Sequence, residues 1–479
     1  MKLKSIPRRL GYILGAQWTR DLSWTLFTIL LSRKDPFLLG QIMLALGYGY
    51  LVKTAADVGL NEFLLSSFAR RDARPTVLLG EVLWLKCALL FVALGVTWFI
   101  VSAKANYSPE LRLIVLCIAA GFGIDGISDT FFALCQARGR QDVEMRIRIP
   151  AAIFGIGFGI VSFLLGAPPL VVALYKIVES SLCFAFAVRA IGRNPFSRFG
   201  WGQFLDLAQR MRSGLIFTCM AACSMLYNKL NLFFLKDYGG DDAVAAYGVA
   251  WEMVEGLSMM ISSALLGKVI FPMLSRLWKD NRDAFRALAG QTARSLWAAA
   301  LPMIYVLCVE NDRIFPLIYG EHLKSAVTAQ RLLTPCLATA FLHNLAAYAM
   351  IGMRRHTLLL VFYLSGLVVN IVCCYWLIPA MPLEGAALAL TATKVWVAIL
   401  TVSFFQATAR PMTAGQWGLM LGVIAVAVGL WYGLGRVLPR ELAEIAGLLP
   451  LLALLWRWRP PSAFEHTDDK AGDAPAQAR

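Results

Sequence analysis

Charged side chains recur inside stretches of this sequence that are otherwise apolar. An ionisable side chain at the middle of a membrane-length helix costs about 2.5–3.5 kcal/mol on insertion scales, so it faces the protein interior or a wet cavity. Cationic residues of this kind could bind a phosphate or pyrophosphate group, and the candidates are Arg20, Lys53, Lys229 and Lys394. Acidic residues of this kind could couple to a proton or a cation, and the candidates are Asp57, Asp125, Asp129, Glu252 and Glu255.

Two of the cations have an acid close by on the same helix. Lys53 and Asp57 are four residues apart, so they share a helix face and can form a local ion pair. Lys176 and Glu179 are three residues apart and can do the same. A local neutral pair and a functional site are both open for these residues. Lys86 is expected near a span end, with its ammonium extending to the interface.

Three of the cations have no obvious acid three or four positions away on their own helix, namely Arg20, Lys229 and Lys394. Asp21 neighbours Arg20 in sequence but points about 100° around the helix. These cations either pair with acids on other helices or bind an anionic ligand.

The acidic candidates include two pairs of like charge. Asp125 and Asp129 are four residues apart, and Glu252 and Glu255 are three apart, so each pair shares a helix face. Two carboxylates held together repel each other unless they bind a proton or share a cation. Each pair is therefore a candidate proton or cation site.

The composition requires a membrane around these charges. Hydrophobic residues make up 58% of the 479 residues and charged residues 16%, against about 45–50% and 25% in soluble domains. We predict an all-α integral membrane protein of about fourteen transmembrane helices. The net charge of +15 is spread over short loops, which is typical of the positive-inside signal and not of a nucleic-acid surface.

The loops predict the organisation of the chain. Most basic loop residues lie on the side that holds both termini, so both termini are predicted to be cytoplasmic. We predict two six-helix bundles around a central cavity, at 1–191 and 214–408, joined by an interfacial linker at 192–213. Two more transmembrane helices follow at 409–458, and a disordered cytoplasmic tail at 459–479. For the linker, an interfacial helix and a solvated loop are both open.

Weak internal similarity supports this division. The segment 133–140 resembles 348–355, and 63–71 resembles 270–276. Each pair is offset by six spans, and an even offset relates the repeats by an axis along the membrane normal. No P-loop, nucleophile elbow or metal-binding histidine spacing occurs, so we predict no enzyme activity, no cofactor and no metal.

Several short motifs, in order, resemble the bacterial polysaccharide and O-antigen flippase family of the multidrug/oligosaccharidyl-lipid/polysaccharide exporter superfamily. They include the stretches at 31–40, 56–60, 66–71, 137–140, 245–250, 271–275 and 384–389. The resemblance covers about residues 10–410. One departure is Asn231, where an acid would often be expected, and this leaves the coupling ion open.

The resemblance implies a function. It implies export of an undecaprenyl-pyrophosphate-linked oligosaccharide across the bacterial inner membrane by alternating access, without ATP, for surface polysaccharide biosynthesis. Cations of the cavity would hold the pyrophosphate, and Arg20 stands where such proteins often place a cation of the first span. The implied partners are the polyprenyl-pyrophosphate-linked glycan and membrane lipids, with a polysaccharide polymerase and a chain-length regulator as further candidates and no nucleic acid.

Two alternative functions also fit a membrane protein of this composition. A drug/cation antiporter of the same superfamily would require an acidic cavity, whereas the central spans of this chain carry cations. A membrane polysaccharide polymerase or ligase would require a large external loop, and the loops of this chain are short.

Overall fold

The computed structural model describes residues 6–61, 63, 64, 68, 75–137, 140–191, 215–261, 266 and 270–459. Every regular element in these ranges is a helix. The predicted linker at 192–213, and the predicted tail beyond its first residue, lie outside the described residues.

The described part of the first lobe, as we name it, contains seven helices. They are α1 (Ile6–Lys34), α2 (Pro36–Asp57), α3 (Pro75–Ala103), α4 (Pro109–Ala137), α5 (Gln141–Leu164), α6 (Pro169–Ala173) and α7 (Tyr175–Ile191). Proline opens several of them, because it has no N–H to leave unpaired in the first turn and its φ suits a helix. The carboxylate of Asp35 caps α2 by accepting from the backbone N–H of Leu38 at 2.9 Å.

The second lobe begins with a long, interrupted helix. Its elements are α8 (Leu215–Ile261), α9 (Phe271–Asp280), α10 (Arg282–Val309), α11 (Asn311–Tyr319), α12 (Ser325–Leu333), α13 (Pro335–Gly352), α14 (His356–Leu377) and α15 (Pro382–Ala409). Gly240 divides α8 into two segments with a φ of 74°, a left-handed conformation that side chains other than glycine rarely adopt. The final pair, α16 (Ala414–Leu434) and α17 (Arg440–Arg457), packs together, and α17 also contacts α10.

The helices confirm a polytopic membrane architecture. Within the described ranges, ten helices are long and apolar enough to cross a membrane. Four further segments of comparable length are α1, the two parts of α8, and α17. This agrees with the prediction of about fourteen spans.

The two lobes are joined mainly where α2 packs against α8. Small residues allow this close approach: a Cβ added to Gly40 would lie 2.0 Å from the carbonyl oxygen of Asp241. Further contacts join the lobes where α1 and α3 end. There Lys104 forms an ion pair with Asp237, and Arg33 Nε donates to the carbonyl oxygen of Ile318 at 3.0 Å. We call this the joined end of the molecule.

Candidate functional site

The most heavily charged part of the interior is a set of ion pairs in the first lobe, which we call the first-lobe network. At its centre the Lys176 ammonium lies 2.8 Å from Asp125 and 2.9 Å from Glu179. Arg20 of α1 reaches the same carboxylates, at 3.3 Å from Glu179 and 3.7 Å from Asp125. The local pair of Lys176 and Glu179 therefore exists, as part of a larger assembly.

Lys53 and Arg148 extend the network to α2 and α5. The Lys53 ammonium lies 2.8 Å from Asp129 of α4. Arg148 also contacts Asp129, and its Nε lies 3.0 Å from Glu144. The local pair that the spacing of Lys53 and Asp57 allowed does not form, because a carboxylate on a neighbouring helix lies closer to the Lys53 ammonium.

Asp57 instead has a partner on α3. Its carboxylate lies 2.5 Å from the Lys86 ammonium, which also donates to Asn61 at 2.8 Å. The Lys86 side chain is 1% exposed, so the prediction that it extends to the interface is wrong. Three oxygen acceptors, including the Gly126 carbonyl at 3.0 Å, hold this ammonium in the interior.

The like-charged acids of α4 do not share a single cation. Asp125 contacts Lys176 and Arg20, whereas Asp129 contacts Lys53 and Arg148. Repulsion between the two carboxylates is thus offset by separate positive partners. Cations and carboxylates are equal in number within the first-lobe network, which needs no ligand to be neutral.

A second group of polar residues lies where α1 and α2 approach α8, and we call it the interlobe site. The Trp24 indole N–H donates to Glu252 across the two lobes at 2.7 Å. The Lys229 ammonium lies 4.8 Å from the ring centroid of Tyr50 in the first lobe. It is 3.9 Å from Glu255 on the other segment of α8, a long distance for an ion pair.

These interlobe charges are only loosely compensated. No lysine or arginine of the described chain lies within 4.0 Å of Glu252. The Glu255 side chain is 36% exposed. Arg20 of the first-lobe network borders the site one helical turn before Trp24 and is 35% exposed. The interlobe site can therefore exchange partners with a bound ligand more easily than the first-lobe network can.

The third polar region is a cavity of about 190 Å³ inside the second lobe, which we call the second-lobe chamber. Its walls include Asn228, Trp251, Glu255 and Lys394. The Lys394 ammonium lies 4.6 Å from the ring centroid of Trp251, a cation–π arrangement. In the part of the chain that the structure describes, no carboxylate lies within 4.0 Å of Lys394.

Asn231 occupies a position where an acid would often be expected, but its side chain is not exposed to a ligand. It is fully buried in a neutral cluster, which we call the second-lobe hub. Its amide donates to Tyr247 and to the Ala386 carbonyl, each at 3.1 Å, and accepts from Asn370 at 3.0 Å. Asn370 also donates to Thr393 at 3.1 Å. These bonds tie α8, α14 and α15 together.

The structure thus distributes the predicted residues over separate places. Arg20, Lys53, Asp125 and Asp129 meet in the first-lobe network. Glu252, Glu255 and Lys229 lie at the interlobe site, Lys394 lines the chamber, and Asp57 is paired elsewhere. No group of three or more histidine, cysteine, aspartate or glutamate side chains suited to a metal ion occurs among the residues described.

Sequence reasoning missed the aromatic partners of these charges, Trp24, Tyr50 and Trp251, and the network cation Arg148. For Trp24 a signal was available, because it follows Arg20 by four residues and so shares its helix face. Tyr50 contacts Lys229, and Trp251 contacts Lys394, each on a different helix. Spacing along the sequence does not reveal such contacts.

Comparison with known proteins identifies the family. A family model described as "Polysaccharide biosynthesis protein" matches residues 30–328. The chain belongs to this family. No curated protein sequence matches the chain significantly.

Several solved structures of membrane transport proteins share the fold. The lipid II flippase MurJ in an inward closed conformation is similar with a TM-score of 0.74 and 9% identity, over 93% of this chain and 97% of that one. An inward-facing multidrug resistance MATE family transporter gives a TM-score of 0.57 and 16% identity, over 86% and 95%. A transporter of the MOP superfamily from Pyrococcus furiosus gives 0.54 and 15%, over 85% and 94%.

These likenesses confirm the predicted fold class. The polysaccharide biosynthesis protein described here is a multi-pass membrane protein with the fold of the lipid II flippase and of these transporters. At such low identity the structures show the fold and no more.

Proposed function

We propose that this chain flips an undecaprenyl-pyrophosphate-linked repeat unit of a surface polysaccharide across the bacterial inner membrane. Membership of the polysaccharide biosynthesis family supports a glycan cargo. The fold shared with a lipid II flippase supports transport of a lipid-linked precursor by alternating access. We also propose that both termini are cytoplasmic, so that the joined end of the two lobes faces the outside of the cell. The cargo is moved without being chemically changed.

The observation that carries the proposal is the loose compensation of Lys229 between the two lobes. Its ammonium rests over Tyr50 and is 3.9 Å from Glu255, so phosphate oxygens could replace this carboxylate with shorter, charge-assisted bonds. Arg20, 35% exposed at the edge of the site, would exchange its contacts with Glu179 and Asp125 for the cargo and supply a second set of donors. A cation on each lobe suits a pyrophosphate that must be held while the lobes reorient.

We place ion coupling at Glu252 and Glu255. If cargo phosphates take over Lys229, Glu255 loses its cation, and a carboxylate without a cation in a membrane interior binds a proton. Within the described residues, the one hydrogen-bond donor to Glu252 is the Trp24 N–H of the opposite lobe, and reorientation of the lobes would break this bond. The other predicted coupling residues, Asp57, Asp125 and Asp129, already have cations, and we assign them a supporting role.

Transport in proteoliposomes tests the proposal. The purified chain is reconstituted with a defined pyrophosphate-linked glycan, and translocation is measured with and without a proton or sodium gradient. We expect Lys229→Gln to lower the initial rate by about tenfold or more, as loss of one close charged contact does. Lys324→Gln is the matched control, because this lysine is 69% exposed and pairs only with Glu321 in the described chain.

Further variants and a second cargo in the same assay distinguish the glycan flippase from a drug/cation antiporter. Glu252→Gln should transport at a rate that no longer responds to the ion gradient. Unchanged transport by both Lys229→Gln and Arg20→Gln would refute the anion site. If an organic cation is transported and the glycan lipid is not, the chain is a drug/cation antiporter of the same superfamily.

A further inference from the structure

The second-lobe chamber contains buried polar atoms that lack partners within the described residues. The indole N–H of Trp251 and the amide oxygen of Asn228 are buried and make no hydrogen bond, and both residues line the chamber. Trp251 is 4% exposed. Lys394 adds a cation with no carboxylate within 4.0 Å among the described residues.

Each of these groups requires something specific from a ligand. A buried donor or acceptor left unpaired loses its bonds to water without replacement. The Trp251 N–H therefore requires an acceptor, and the Asn228 oxygen requires a donor. Lys394 requires a negative charge, because an ammonium in a membrane interior is costly when it is not compensated.

We propose that the second-lobe chamber binds one sugar unit that carries a carboxylate. The carboxylate would contact Lys394 and accept from Trp251, and a sugar hydroxyl would donate to Asn228. At about 30 Å³ per water, 190 Å³ has room for about six waters, the scale of a single sugar ring. This inference rests on the proposed function, since it assigns part of the glycan cargo to a specificity site.

The other walls of the chamber suit a sugar as well. Tyr227 and Tyr363 supply aromatic surface and Asn344 a second amide, a combination of apolar faces and convergent polar groups that is typical of small-molecule sites. His343 is already engaged by Thr401 and Tyr363, at 3.1 Å on each side. It therefore fixes the wall and is not free to bind the ligand.

Simpler ligands satisfy fewer of these requirements. An inorganic phosphate offers Lys394 its charge but brings few donors to the Asn228 oxygen. A neutral sugar offers hydroxyls but leaves Lys394 without a counter-charge. Glu255 also lines the chamber and can accept a sugar hydroxyl.

Equilibrium binding of three probes to the full chain in lipid nanodiscs tests the assignment. Methyl glucuronide, methyl glucoside and inorganic phosphate are compared by saturation-transfer NMR and titration calorimetry. We expect the glucuronide to bind most tightly, and Lys394→Gln to weaken it by about tenfold or more while changing glucoside binding little. Trp251→Phe keeps an aromatic ring under Lys394 and removes the N–H, and it should weaken the glucuronide by a smaller factor.

The controls make each outcome decisive. Lys324→Gln, at an exposed position that does not line the chamber, should bind all probes as the native chain does, and gel filtration of each variant verifies its folding. Phosphate binding as tightly as the glucuronide, or no glucuronide binding to the native chain, would overturn the proposal. The native chain could bind the glucuronide through Lys394 and still fail to transport the glycan lipid. That result would support the sugar site and refute the flippase function.

Discussion

The two lobes stabilise their interiors with different chemistry. The first-lobe network joins α1, α2, α4, α5 and α7 through ion pairs such as Lys176–Asp125. The second-lobe hub joins α8, α14 and α15 through neutral amides and hydroxyls around Asn231 and Asn370. Both solutions satisfy buried polar groups without water.

The difference shows where a ligand can act. Every carboxylate of the first-lobe network has a cation within 4.0 Å, so a ligand anion would have to displace existing partners. At the interlobe site and in the second-lobe chamber, Lys229, Lys394 and Glu252 have weaker partners or no ionic partner in the described chain. Substitutions and changes of pH should therefore have different effects in the regions that are fully paired and in those that are not.

The largest effect is expected at the centre of the first-lobe network. Lys176→Met should destabilise the protein by about 3–5 kcal/mol, because it leaves the buried Asp125 and Glu179 with one fewer cation. Thermal unfolding in nanodiscs measures this. The control is Arg276→Gln, because Arg276 is 83% exposed and its partner Asp280 is 61% exposed. A loss no larger than that of the control would mean that the network does not stabilise the lobe.

A smaller effect is expected where the lobes meet. Trp24→Phe keeps the ring against Tyr175 and removes the hydrogen bond to Glu252, which is worth about 1.5–3 kcal/mol when its acceptor is charged. The lobes should then separate more often, as measured by spin-label distances across α1 and α8. Trp18→Phe, at an exposed position one and a half turns earlier, is the control, and equal distance distributions for both variants would rule out a latch.

A similar or smaller loss is expected from the neutral hub. Asn370→Ala removes the donor to Asn231 and should cost about 1–3 kcal/mol, the range for leaving a buried polar group without its partner. Unlike the first-lobe variant, it changes no charge, so its effect should not depend on salt. Asn106→Ala, at an exposed amide, provides the comparison, and a marked salt dependence for Asn370→Ala would contradict the neutral description of the hub.

The smallest effect concerns the surface at the joined end. Hydrogen bonds from Arg440 lower the pKa of Asp312 from 3.8 to about 2. Because the folded pKa is depressed, this pair stabilises the protein above the unfolded pKa and stops doing so as the pH falls through about 2. The side chains are 41% and 39% exposed, so the contribution should be below about 1 kcal/mol.

Unfolding midpoints between pH 2 and pH 6 test this last prediction. The native chain should lose its small advantage over Arg440→Gln as the acid is protonated, and the two should coincide at the low end. An advantage that grows with falling pH would contradict the direction of the shift.

Much of the fold could be predicted from the sequence, because apolar runs of membrane length can satisfy their backbone only as helices. The intramembrane charges could also be found, and the pair Lys176–Glu179 followed from spacing along one helix. The pairs Lys53–Asp129 and Lys86–Asp57 could not, since each joins two helices whose relative rotation no spacing reveals.

The sequence by itself determined that this chain is helical, crosses a membrane and carries buried charges, because composition and periodicity act locally along the chain. Only the tertiary structure decided which charges neutralise each other. Arg20 and Lys53 pair with carboxylates on neighbouring helices, whereas Lys394 lies against an aromatic ring and lines a cavity. The physical reason is that an ion pair depends on a distance of a few ångströms between helices, and packing sets that distance.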